Sequence, residues 1–175
     1  MKIRYLNFNK NKCIAALLMF AAAGLAQAQE KTVKIYGIGA SRAARPIWTA
    51  LELGVPFEHI ATPYAGGATR TPEFLAINPN GRIPAIVDHE AGGFAVFESG
   101  AILMYLAEKT GKFMPKDMAK KYDVIQWLMI QVANIGPAFG NFTHFNLFAP
   151  KPVNDYSLSR YKTEMLRLYE LLNKR

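Results

Sequence analysis

The chain has 175 residues, 51% of them hydrophobic and 12% aromatic, enough for one domain or one and a half with a packed core. Its formal charge of +8 is not a nucleic-acid footprint: residues 1–28 hold four bases (Lys2, Arg4, Lys10, Lys12) and no acid, and the remaining 17 bases and 13 acids leave +4 spread along the chain. No nucleic acid is therefore expected as a partner, and the mildly basic surface favours a small anionic substrate.

The basic start leads into an apolar run from Cys13 to Leu25, followed by the small-x-small pattern Ala26-Gln27-Ala28. The run is too short to span a bilayer and fits a secretory signal. Residues 1–28 are read as a signal peptide, the mature chain as periplasmic or secreted, with no membrane contact once the signal is cleaved. Cys13 is the only cysteine. The mature chain then forms no disulfide and has no thiol nucleophile, so any thiol chemistry comes from the substrate.

Lys31 to Ile38 alternates like a strand. After the turn Gly39-Ala40-Ser41, Arg42 to Leu53 carries apolar residues at helical spacing and stops at Gly54. Pro46 in its first turn costs little. Phe57 to Tyr64 reads as a second strand, Ala65 to Thr71 as a loop, and Pro72 to Ile77 as a short helix. A third strand runs from Ile83 to His89. Gly92-Gly93 turns the chain into a fourth, Phe94 to Phe97. Ser99 then caps a helix to Lys109, which Gly111 ends. The order β-α-β-α-β-β-α is the thioredoxin-like α/β layout, and it places one domain at residues 31–112. A linker is expected from Lys112 to Lys116, and an all-α domain at 117–175. There Val124, Leu128, Val132 and Ile135 form one stripe, with Trp127 beside it. Gly136-Pro137 reads as a kink, Asn141 to Asn154 as irregular, and Leu158, Tyr161, Met165, Leu168 and Leu172 as an amphipathic helix. The two apolar faces ask for more helices than the chain supplies, so an incomplete, truncated bundle is expected.

The stretch Asn78-Pro79-Asn80-Gly81-Arg82-Ile83-Pro84 enters the third strand through an Ile-Pro bond, and a proline is tolerated at a strand's first residue. The main chain of Ile83 would there face outward, where an extended peptide pairs with it. Ser99, at a helix start, can hold a carboxylate. Together these describe a site for a small peptide with an amide and a free acid. Gly37-Ile38-Gly39 imitates the opening of a dinucleotide-binding loop, but Arg42 stands at the third glycine position and no acid closes a second strand at the right distance. No His, Asp and Glu cluster has metal spacing, so no metal is expected, and no Ser/His/Asp set can be assembled.

Three segments carry a family resemblance: Ser41-Arg42-Ala43-Ala44-Arg45 with Trp48 and Glu52-Leu53-Gly54-Val55-Pro56; Asn78 to Pro84; and Glu98-Ser99-Gly100-Ala101-Ile102. From Lys31 onward the chain resembles a glutathione transferase. Through Gln126-Trp127-Leu128, Gly136-Pro137, His144-Phe145-Asn146 and Leu172-Asn173-Lys174-Arg175 it is similar to the bacterial nu-class, or Ure2-like, branch. The resemblance implies glutathione as co-substrate, a small electrophile or disulfide as second substrate, a homodimer, and a cis Ile83-Pro84 bond. Members of that branch often act as glutathione-dependent disulfide reductases. It implies that the main chain of Ile83, beside Pro84, pairs with the cysteinyl unit, and that Glu98 meets the γ-glutamyl ammonium and Ser99 its carboxylate. Arg82 would reach the glycyl carboxylate, and His144 and Asn146 the second substrate or a second glutathione. The branch's Thr-Pro-Asn, whose Thr and Asn contact the sulfur, is replaced at Ala40 and Arg42. Ser41 is the nearest hydroxyl and the candidate thiolate-stabilising residue; it would equally serve as an N-cap. The alternative is a non-catalytic glutathione-binding protein or a truncated remnant.

Overall fold

A computed structural model describes residues 33–175. The expected signal peptide lies outside them. The chain divides into two compact units, one ending at Phe97 and the other running from Glu98 to Arg175.

The first unit is built on a four-stranded sheet: β1 (Val33–Gly37), β2 (Phe57–Ala61), β3 (Ala85–Asp88) and β4 (Phe94–Phe97), in the order β2-β1-β3-β4. β2 lies parallel to β1, while β3 and β4 run antiparallel to their neighbours. A parallel pair needs a crossover, and α1 (Ala44–Leu53) supplies it. In β1 every second residue is buried, the period a half-covered strand requires. Ile35 opposes Ile86 in the register, and both are fully buried. α1 turns Pro46, Ala50 and Leu53 inward and leaves Leu51 exposed. It ends as expected at Gly54, in the left-handed conformation with φ 70°. Thr71 caps α2 (Pro72–Ile77) by accepting the Phe74 N–H at 3.3 Å. Between β3 and β4, Asp88 is fully buried and its Oδ1 accepts the N–H groups of Glu90 and Ala91, which closes the hairpin.

The second unit is helical: α3 (Ser99–Thr110), α4 (Met118–Ile130), α5 (Gly136–Thr143) and α6 (Asp155–Asn173). α3, which the sequence places with the first domain, falls within this unit. Gly111 ends it at φ 67°. Two single-turn π segments, Gln131–Ile135 and His144–Phe148, flank α5. The wider turn before Gly136-Pro137 accommodates a ring that would otherwise clash with the preceding turn. The expected irregular region therefore shrinks: helical winding continues through Phe148. Phe139 packs on Tyr169, and Phe145 stacks on Tyr161. Leu168 is fully buried, whereas Leu172 on the same expected stripe is exposed.

Candidate functional site

In the first unit, the loop after β1 and the segment entering β3 meet at Gly37. A Cβ there would clash with Cβ of Ala43 and lie 3.6 Å from Cβ of Ile83. The glycine at the end of β1 lets the two loops approach. Its carbonyl is held by His59 Nε2 at 2.8 Å and by the Thr62 N–H at 3.2 Å. Sequence reasoning missed this role, because it read Gly37 as part of a strand and of an imitation of a dinucleotide-binding loop.

Ser41 stands in that loop, but it is not a helix cap. α1 begins two residues later than the sequence suggested, and Ala43 is its capping position, without a side-chain bond. The Ser41 hydroxyl donates to the Ile38 carbonyl at 2.7 Å and accepts the Ala43 N–H at 3.1 Å. It thus builds the turn that delays the helix, and its one proton must swing away from Ile38 before it can face a thiolate. Arg42 and Arg45 follow within one helical turn. Burial first, then the neighbouring Arg42 charge, holds the Arg45 guanidinium below its ordinary value, and the pair gives the loop a positive character.

The segment entering β3 contains Arg82, exposed, Ile83, half-buried, and Pro84, buried. The Ile83-Pro84 bond is cis. The ladder starts at Ala85 opposite Tyr36, not at Ile83 as the sequence suggested. The N–H and C=O of Ile83 consequently make no hydrogen bond among the described residues. An unpaired main chain at a sheet end suits an extended peptide.

In the second unit, Glu98 occupies the N-cap of α3 at φ 69° and ψ 120°, with no side-chain cap bond. Ser99 is the first helical residue and is 5% exposed, so the expected cap is shifted by one. Gly100 follows because Val132 packs over it: a Cβ there would stand 3.0 Å from the Val132 Cγ1. His144 and Asn146 are exposed on the second π segment, and the His144 ring lies edge-on to Phe145. Residues two apart on a helical winding do not face each other, so these two do not form a single facing pair. Lys151 donates to the Phe145 and Asn146 carbonyls. Two hollows in this unit hold none of the expected site residues: about 450 Å³ beside Tyr156, Arg160 and Glu164, and about 310 Å³ beside Glu108, Met114 and Lys121. Among the described residues, no group of three His, Cys, Asp or Glu is arranged to hold a metal, and no helix is long and apolar enough to cross a membrane.

Residues 31–108 match the glutathione S-transferase N-terminal domain family. The disulfide-bond oxidoreductase YfcG of Escherichia coli (strain K12) is 51% identical over 114 residues, covering 63% of this chain and 52% of that protein. The chain thus spans about half of that relative. Among solved structures, a glutathione transferase family member from Pseudomonas fluorescens with two glutathione bound is similar at a TM-score of 0.78 and 38% identity, over 83% of this chain and 66% of that one. The transferase URE2P8 from Phanerochaete chrysosporium, solved with oxidized glutathione, is similar at a TM-score of 0.75 and 30% identity, over 82% of this chain and 67% of that one.

Proposed function

Because the chain belongs to the glutathione transferase superfamily, we propose that it binds glutathione and acts through the thiolate of that guest. The observation that carries this reading is the unpaired main chain of Ile83, next to the loop of Ser41. The cysteinyl unit of glutathione pairs with it as an added strand would. Arg82 reaches the glycyl carboxylate. Glu98 meets the γ-glutamyl ammonium and the start of α3 at Ser99 its carboxylate, where helix N–H groups favour an anion.

A cysteine-like thiol has a pKa of about 8.5, so the site must favour its ionised form. The Ser41 hydroxyl, turned from Ile38, and the charges of Arg42 and Arg45 do this. The relative's name as a disulfide-bond oxidoreductase and the two glutathiones in the Pseudomonas structure favour disulfide reduction over conjugation. The first thiolate attacks one sulfur of a disulfide; the other sulfur leaves as a thiolate and takes up a proton. A second glutathione thiolate attacks the glutathione sulfur of the mixed disulfide, giving oxidised glutathione and the second free thiol. His144 or Asn146 contacts this second guest. Electrons and protons balance without a protein thiol, in keeping with a chain whose only cysteine is Cys13. Calorimetry with reduced and oxidised glutathione tests the reading, and absence of heat with both overturns it.

A second reading, a non-catalytic glutathione binder, is favoured by the bond that already occupies the Ser41 proton. Binding without turnover of any disulfide or electrophile selects it. Export with removal of residues 1–28 and a homodimeric state are part of the proposal. N-terminal sequencing of secreted protein and light scattering check them.

A further inference from the structure

The loop between α2 and β3 is pinned from inside by a side chain with no role in the chemistry above. Asn78 is 1% exposed. Its Nδ2 donates to the Arg82 carbonyl at 2.6 Å, and its Oδ1 accepts the Asn80 N–H at 3.0 Å. The Asn78 carbonyl in turn accepts the Gly81 N–H at 2.9 Å. The other side of the loop is closed. Gly81 sits at φ 60°, where an added Cβ would lie 2.5 Å from the Arg70 Nη1 and 2.9 Å from the Thr69 carbonyl oxygen. Arg70 also donates to the Asn80 carbonyl at 3.5 Å.

One consequence follows from covalent geometry. The carbonyl of Arg82 and the N–H of Ile83 belong to one planar peptide group, trans here, so they point in opposite directions. Fixing the first fixes the second. By holding the Arg82 carbonyl, the Asn78 amide aims the Ile83 N–H away from itself, in the direction where that N–H has no protein partner. We propose that Asn78 is a positioning residue for the ligand: its buried amide orients the Arg82–Ile83 peptide plane so that the Ile83 N–H donates to a bound peptide's main chain. The inference rests on the glutathione-binding reading and adds a residue to it.

The donor half of the amide is what matters, and that separates this role from general support of the fold. Asn78→Asp keeps an acceptor for Asn80 but sets an oxygen against the Arg82 carbonyl. Asn78→Ser removes the reach without burying a charge. Both variants should raise the calorimetric Kd for glutathione about ten-fold, the scale of one lost hydrogen bond of full strength. KM for glutathione should rise with it, and kcat at saturation should stay within about two-fold, the pattern of lost uniform binding. A purely structural role would lower the fraction of binding-competent protein and leave its Kd unchanged. An unchanged Kd in either folded variant overturns the proposal, as does failure of both variants to fold, which would make Asn78 a folding residue only. Failure of the unmodified chain to bind glutathione refutes the underlying reading instead, so the two failures are distinguishable.

Discussion

Ser41 is held in two directions, towards Ile38 and Ala43, and its substitution reports on both. Ser41→Ala should lose most turnover and keep glutathione affinity within a few-fold, since the proposed γ-glutamyl and cysteinyl contacts lie elsewhere. Unchanged turnover in a steady-state assay would discard Ser41 as the hydroxyl that donates to the thiolate. Gly37→Ala should instead damage the fold, because the new methyl meets Ala43 and Ile83. A loss of about 1–3 kcal/mol is expected for such overpacking, read from the urea midpoint at unchanged slope. The residues proposed to touch a ligand stand in the sequence at motif positions: Arg82, Glu98 and Ser99, with Ile83 through its main chain. Those that hold them were not legible there. A buried amide that bridges four residues, as Asn78 does, leaves no periodic trace. The close approach at Gly37 depends on two loops that only the folded sheet brings together.

At the scale of elements, periodicity and punctuation carried far. The order of seven elements up to α3 and the stops at Gly54 and Gly111 were readable because glycine at a helix end has a mechanical reason. Starts were less readable. The Ser41 turn delays α1, and β3 begins only where its ladder does, at Ala85. The π segments around α5 were invisible, since Gly, Pro, Asn and His argue locally for a loop while packing of Phe139 and Phe145 against α6 keeps the winding. Arg175 clasps α4, 2.8 Å from Asp123 and 4.8 Å above the Trp127 ring. The hydrogen bond from Arg175, then that from Gln126, holds the Asp123 carboxyl below its ordinary value of 3.8. A carboxyl lowered in the folded state adds stability above its unfolded value and loses it as the pH falls through the folded one. Asp123→Asn should therefore lower the melting temperature slightly at neutral pH, with the difference fading below 3.8. A gap that persists in strong acid would show that the clasp is not electrostatic.

For the molecule as a whole, composition set the class and the motif order set the architecture, a thioredoxin-like α/β unit followed by helices. What the sequence left open is how the helical unit hides its apolar surface. Tyr122, Met129, Leu147, Phe148, Leu166, Tyr169 and Leu172 are all exposed, although the stripes they adjoin read as core. Leu168 is fully enclosed there, as are Ile102 and Leu106 of α3, so Leu168→Ala should cost about 2–5 kcal/mol, transfer and cavity terms together. Differential scanning calorimetry checks it, and a shift within error would mean that α6 contributes little to cooperative unfolding.

The backbone at Glu98 has a last implication. A glutamate at φ 69° and ψ 120° sits where side-chain-bearing residues are disfavoured by about 1–3 kcal/mol, and glycine is not. Glu98→Gly should then yield a sturdier protein by roughly 1 kcal/mol in denaturant that grips its guest more weakly. Selection for heat resistance alone would tend to erase the carboxylate, and its retention would mark pressure for recognition over durability.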